Sequence, residues 1–143
     1  MTSLKRKKLP NGAATDRSLL FHAMYLMASI DGGIAPEEAA VLRALLGSLP
    51  DFRTADVDLL MTEAEARAKK YGGLIDSIEA FTELSAGSDV RYRAFLLAVE
   101  VAYASGTINP AEEQLLDTLG AILGLDEGVR DGIVGVLAFK YAT

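Results

Sequence analysis

The chain has 143 residues, half of them apolar, with 20 acidic and 14 basic side chains, one histidine, and neither cysteine nor tryptophan. This length fits one globular domain with its own hydrophobic core, and the missing cysteines exclude thiolate zinc sites, iron–sulfur clusters, thiol nucleophiles and disulfides. Any functional site must therefore use mainly carboxylates, hydroxyls and backbone groups, which favour hard cations.

The first element along the chain is a basic segment. Residues 5–8 read KRKK, so that ten bases against 20 acids remain from residue 9 onward. We predict a flexible basic arm over residues 1–15 and a single domain over residues 16–143. The arm is interpreted as a solubilising tail or, alternatively, as a contact for a polyanion or a membrane surface. The acidic body repels phosphate, so no nucleic-acid binding is expected of the folded domain.

The rest of the chain follows the 3.6-residue period of α-helices. Turn residues separate seven predicted helices, at about 16–30, 36–48, 54–70, 74–84, 89–104, 110–123 and 127–141. The first and fifth are apolar nearly all round, which places them at the centre of a compact all-α bundle. No segment approaches the ~20 apolar residues of a membrane span. We therefore expect no membrane insertion and a cytoplasmic location.

An internal repeat relates the two halves of the chain. A shift of 74 residues aligns 21–46 with 95–120 without a gap and gives eight identities in 26 positions. Half of these identities lie in or just after the turn that follows an apolar helix. The predicted repeat unit is therefore a helical hairpin that is used twice.

The two equivalent turns carry the candidate site residues Asp31, Glu38 and Glu112. Asp31 ends a helix, where the helix dipole disfavours a negative charge, so that either a hydrogen bond within the turn or a cation shared with Glu38 must offset it. Glu38 and Glu112 each stand at the third position of a helix, where capping alone explains a glutamate. Asn109 is the predicted N-cap of the second hairpin. The first turn has the spacing of half an EF-hand loop, but Met27 and Ser29 replace the acids of the other half.

These residues resemble the tellurite resistance protein TerB-like family over roughly residues 17–141. The motif is an apolar helix that ends Ala-x-x-Asp-Gly, a branched residue two places later, and a glutamate that opens the next helix. The first turn matches it in full with Ala28, Asp31, Gly32, Ile34 and Glu38. The second turn matches at Gly106, Ile108 and Glu112, whereas Ser105 replaces the usual aspartate.

The resemblance implies an all-helical, non-enzymatic domain that acts in tellurite or general chemical-stress response complexes, alongside protein partners that include membrane-linked ones. It also implies a divalent cation, calcium, magnesium or manganese, at Asp31, Glu38 and Glu112. The alternative is a metal-free adaptor that docks a protein partner on its acidic surface. No catalytic residues are predicted, because the single histidine, His22, lies mid-helix in an apolar segment and is interpreted as a packed side chain.

Overall fold

The computed structural model describes the backbone of residues 2–85, 87–104 and 106–142, and the side chains of the same residues except 2–14, 51 and 88. Over this part of the chain the protein forms only helices, and the all-α class is confirmed. The α-helices are α1 (Thr2–Ser29), α2 (Pro36–Ser48), α3 (Val57–Lys70), α4 (Ser88–Ala104), α5 (Pro110–Ile122) and α6 (Glu127–Lys140), with 3₁₀ helices at Pro50–Phe52 and Asp76–Glu83.

The first helix begins earlier than the sequence predicts. Its backbone is helical from Thr2, whereas the expected start is residue 16 after a flexible arm. The basic side chains of residues 5–8 lie outside the described part of the chain, so the solubilising or anionic-surface role of the arm stays a prediction.

Helices α1 and α4 form the centre of the bundle, as their apolar sequences predict. Each packs more extensively on the other than on any further element, and their largest fully buried side chains include Phe21, Met24, Phe95 and Leu97. Helix α3 lies on α1, helices α5 and α6 lie on α4, and α2 contacts both central helices. No helix in the described residues combines the length and hydropathy needed to cross a lipid bilayer.

The fourth predicted helix, at 74–84, is a 3₁₀ helix over Asp76–Glu83 rather than an α-helix. Its buried apolar side chains include Ile78 and Phe81, which are three residues apart, and buried Leu84 follows directly after the helix. A 3₁₀ helix has three residues per turn, so this spacing places Ile78 and Phe81 on one face. The apolar pattern is therefore satisfied more fully by the tighter helix.

The two hairpin turns run from α1 to α2 and from α4 to α5. Gly32 and Gly106 both have a positive φ, 112° and 134°, a backbone conformation that residues other than glycine rarely adopt. Each turn is followed by a proline at the first position of the next helix, Pro36 and Pro110. The two turns meet at one end of the α1–α4 pair, where a hydrogen bond joins Asp31 to Asn109.

Candidate functional site

A cleft of about 450 Å³ lies between the two hairpin turns. The first turn and the start of α2 form one wall, and the second turn and the start of α5 form the other. The cleft is lined by Asp31, Ala35, Glu37, Glu38, Val41, Ala104, Thr107, Asn109 and Glu112. The structure thus brings together all three carboxylates that the sequence singles out, although Asp31 and Glu112 are 81 residues apart.

Asp31 is exposed and lies just beyond the end of α1. Its carboxylate accepts a hydrogen bond from the side-chain amide of Asn109, with Nδ2 at 3.2 Å from Oδ2 and 3.5 Å from Oδ1. The unfavourable position of this charge against the helix dipole is therefore offset from the other turn rather than from within its own. The sequence predicts Asn109 as a cap but not as the partner of Asp31.

Glu112 and Asn109 form a complete capping box at the start of α5. The Asn109 Oδ1 accepts from the Glu112 backbone N–H at 2.8 Å, and the Glu112 Oε1 accepts from the Asn109 N–H at 3.0 Å. This exchange satisfies two backbone donors that the helix itself leaves without partners. It also fixes Glu112 in a buried position, with 6% of its surface exposed. The capping prediction for Glu112 is confirmed.

Glu38 makes only half of the equivalent box. Its Oε1 accepts from the Ala35 N–H at 2.9 Å, but alanine has no side-chain oxygen to return a bond to the helix. Both Glu38 and Glu112 keep one carboxylate oxygen, Oε2, without a hydrogen bond in the described residues. Capping therefore uses half of each carboxylate and leaves the other half available.

The surroundings of Glu112 disfavour its charge. Burial raises the pKa of its carboxyl, the bond from the Asn109 N–H opposes this shift, and the nearby charges of Asp31 and Glu38 raise the pKa further. The pKa of Glu112 is thus higher in the folded than in the unfolded state. The free energy of unfolding therefore falls as the pH rises from the unfolded pKa to the folded pKa. The charges of Asp31, Glu38 and Glu112 therefore repel one another in the cleft, and a cation would offset this repulsion.

Asp31→Asn is expected to lower the pKa of Glu112, because it removes one of the two neighbouring negative charges while it keeps the shape of the side chain. A carboxyl ¹³C NMR titration of Glu112 in the wild type and the variant measures this shift. Glu79→Gln, an exposed acid outside the cleft, is the matched control and should leave the titration unchanged. An identical Glu112 titration in the Asp31 variant would show that these carboxylates do not interact.

The donor set fits a hard cation in its chemistry, since every charged group in the cleft is a carboxylate. As the side chains stand, however, no group of three or more His, Asp and Glu residues in the described part of the chain is arranged to hold a metal ion. A cation would thus have to draw the exposed Asp31 and Glu37 toward the free oxygens of Glu38 and Glu112. Ser105, which replaces the aspartate of the second turn, lies outside the described residues.

The sequence does not predict the contact that the structure makes between His22 and Ser77. The His22 Nε2 lies 2.8 Å from the Ser77 Oγ, a distance that a serine nucleophile and its base would also have. Both side chains are 0% exposed, the serine hydroxyl donates to the Leu74 carbonyl at 2.6 Å, and burial lowers the pKa of His22 to about 3. The pair is accordingly inaccessible to a substrate and weakly basic, and it is part of the core.

The family model described as tellurite resistance protein TerB matches residues 18–133. The chain belongs to the TerB family. The matched residues include both hairpin turns and the whole cleft, so the carboxylates of the cleft lie within the TerB-family domain. No curated protein and no solved structure matches the chain significantly. The match begins at residue 18, which leaves the basic segment outside the TerB-family region.

Proposed function

We propose that this TerB-family domain is a non-enzymatic module that binds a divalent cation in the cleft between its two hairpin turns. Asp31, Glu38 and Glu112 are the proposed ligands. The observation that carries the proposal is the placement of Glu112, a buried carboxylate whose charge is opposed by burial and by two neighbouring acids. A cation in the cleft would remove both penalties.

Calcium, magnesium and manganese are the cations that this cleft favours. Its ligands are carboxylate oxygens, and neither thiolate nor imidazole lines it, which disfavours softer metals. Two glutamates offer one free oxygen each, so water would complete the coordination. Such a site is expected to be weak, because the side chains must rearrange before they can bind.

The proposed role of the cation is to join the two hairpins. Asp31 and Glu38 belong to the first hairpin and Glu112 to the second, so a shared cation would link the ends of the two central helices. We propose that the domain acts in this form with protein partners in tellurite or general chemical-stress response complexes. The family to which the chain belongs supports this proposal.

A metal-free adaptor is the second candidate function. One observation favours it: a groove of about 700 Å³ between α4, α5 and α6 has an apolar floor and acidic walls. In this case Glu38 and Glu112 would serve only as caps. The two functions differ in one property, because only the first requires the protein to bind a cation.

Isothermal titration with calcium, magnesium and manganese tests the cation proposal. The wild type is expected to bind at least one of them at up to millimolar concentration, and Asp31→Asn should weaken binding by about tenfold, since it removes a ligand charge. Glu79→Gln, the control outside the cleft, should bind as the wild type does. Absence of binding by the wild type would leave the adaptor as the better candidate.

A further inference from the structure

The groove between α4, α5 and α6 combines an apolar floor with charged walls. Its floor is formed by Phe95, Leu116 and Val134, and Tyr103 and Ile108 line it near the second turn. Phe95 and Leu116 are buried, whereas Val134 is half-buried. We name this feature the acidic groove.

Two acids on each wall give the acidic groove its charge. Glu113 and Asp117 lie four residues apart on α5, and Glu127 and Asp131 lie four residues apart on α6. All four are exposed, and their carboxylates have no hydrogen bond or ion pair among the described residues. Like charges at this spacing destabilise their own helix. The arrangement is therefore unfavourable for the isolated domain and favourable for a cationic ligand.

One basic side chain, Arg130, already lies in the acidic groove but does not neutralise the acids of its walls. The Arg130 Nη1 donates to the backbone carbonyl of Asp117 at 3.3 Å, and its side chain lies against Gly120, where an added Cβ would collide with the arginine Cδ. The guanidinium is thus held against α5, and it pairs with no carboxylate of the described residues. Four acids and one arginine leave the groove with a formal charge of -3.

The chain itself contains a segment that matches this groove. Residues 4–9 read LKRKKL, four consecutive cations between two leucines, which complement four acids around an apolar floor. We propose that the basic segment of one copy of the protein docks in the acidic groove of a second copy. This proposal does not rest on cation binding in the cleft, because none of the four wall acids lines that cleft.

The course of α1 favours a second copy over the chain's own groove. The groove extends to the second turn, where Thr107 and Ile108 line it, and that turn is bonded to Asp31, just beyond the end of α1. Residue 9 lies about 30 Å from that end along the helix axis, at 1.5 Å per residue. The basic segment therefore points away from its own groove while α1 keeps its helical form.

Sedimentation equilibrium of the full chain tests the proposal. We expect concentration-dependent self-association at low ionic strength that weakens by about tenfold when the salt is raised to 0.3 M, since exposed ion pairs are screened. The double variant Glu113→Gln/Asp131→Asn should weaken association by a similar factor. The control Glu79→Gln/Asp89→Asn makes the same change of charge outside the groove and should leave association unchanged.

A charge exchange separates this contact from other uses of the basic segment. Lys5→Glu/Lys7→Glu alone should abolish association, as should Glu113→Lys/Asp131→Lys alone, whereas an equimolar mixture of these two variants should form heterodimers. A wild type that stays monomeric at low salt would overturn the proposal. It would also be overturned if the groove variants associate as the wild type does. The same holds if, in addition, the basic segment binds vesicles with anionic lipids.

Discussion

Replacing His22 by glutamine is expected to make the free energy of unfolding fall less steeply as the pH is lowered. The wild-type imidazole is buried against Tyr25 and Phe81 and bonded to Ser77. Burial, and to a smaller extent the positive charge of Arg67, lowers its pKa from 6.5 to about 3. Glutamine places an amide nitrogen near the position of Nε2 and can therefore keep the bond to Ser77 without a titrating group.

The sign of this effect follows from the protons that each state binds. Below pH 6.5 the unfolded chain protonates His22 while the folded chain does not, so stability falls as the pH is lowered toward 3. Over the interval from pH 6.5 to pH 4, a single proton contributes a loss of about 3 kcal/mol. Above pH 6.5 the same group has no effect on the pH dependence.

Urea denaturation at several pH values between 7 and 4 measures the difference. The free energy of unfolding of the wild type should fall more steeply than that of His22→Gln, because the carboxylates contribute equally to both proteins. Absolute stability at pH 7 is not the criterion, since the substitution also changes core packing. Parallel pH profiles for the two proteins would show that His22 becomes protonated in the folded state without penalty.

Lys140→Met is expected to destabilise the protein more than the double variant Lys140→Met/Glu100→Leu. Glu100 is buried in α4 and accepts bonds from the Lys140 Nζ and, at 2.7 Å, from the Tyr141 hydroxyl. The glutamate side chain is 8% exposed and the lysine 56% exposed. Loss of the lysine therefore leaves a buried carboxylate without its cation, whereas loss of the glutamate leaves a lysine that water can solvate.

The expected loss for the single variant is about 2 kcal/mol, the order of a buried hydrogen bond to a charged group. The double variant should recover most of it, because leucine is apolar and Leu26, which aligns with Glu100 at a shift of 74 residues, is fully buried in α1. Thermal or urea denaturation of both variants gives the comparison. Equal stability of the single and double variants would show that the Glu100 carboxylate does not destabilise the protein when Lys140 is lost.

Most of the helical architecture could be predicted from the sequence because it depends on local pattern. The apolar surroundings of Phe21 and Phe95 predict the central pair, and the capping box of Asn109 and Glu112 follows from residue types three positions apart. The 3₁₀ helix at Asp76–Glu83 is not predicted as such, because an apolar residue at every third position is difficult to distinguish from the 3.6-residue period of an α-helix. The observed start of α1 at Thr2 also lies outside what the local pattern predicts.

The candidate site could be predicted residue by residue but not as a shared cleft. Asp31, Glu38 and Glu112 stand out by their positions in two turns, yet only the packing of α1 on α4 brings those turns together. For the same reason the bond from Asn109 to Asp31, the bond from His22 to Ser77 and the pairing of Glu100 with Lys140 are tertiary contacts without a local signal. The alignment of the two turns at a shift of 74 residues was the one available indication.

Manganese titration followed by amide NMR tests the central claim, a cation between the two turns, most directly. Paramagnetic Mn²⁺ at the proposed site should broaden the amide signals of Gly32, Gly33 and Gly106 first, and excess Ca²⁺ should reverse the broadening. Asp31→Asn should require about tenfold more manganese for the same loss of signal, while Glu79→Gln should behave as the wild type. Broadening that begins at the acidic groove, or that is spread over the surface without preference for the turns, would contradict the account.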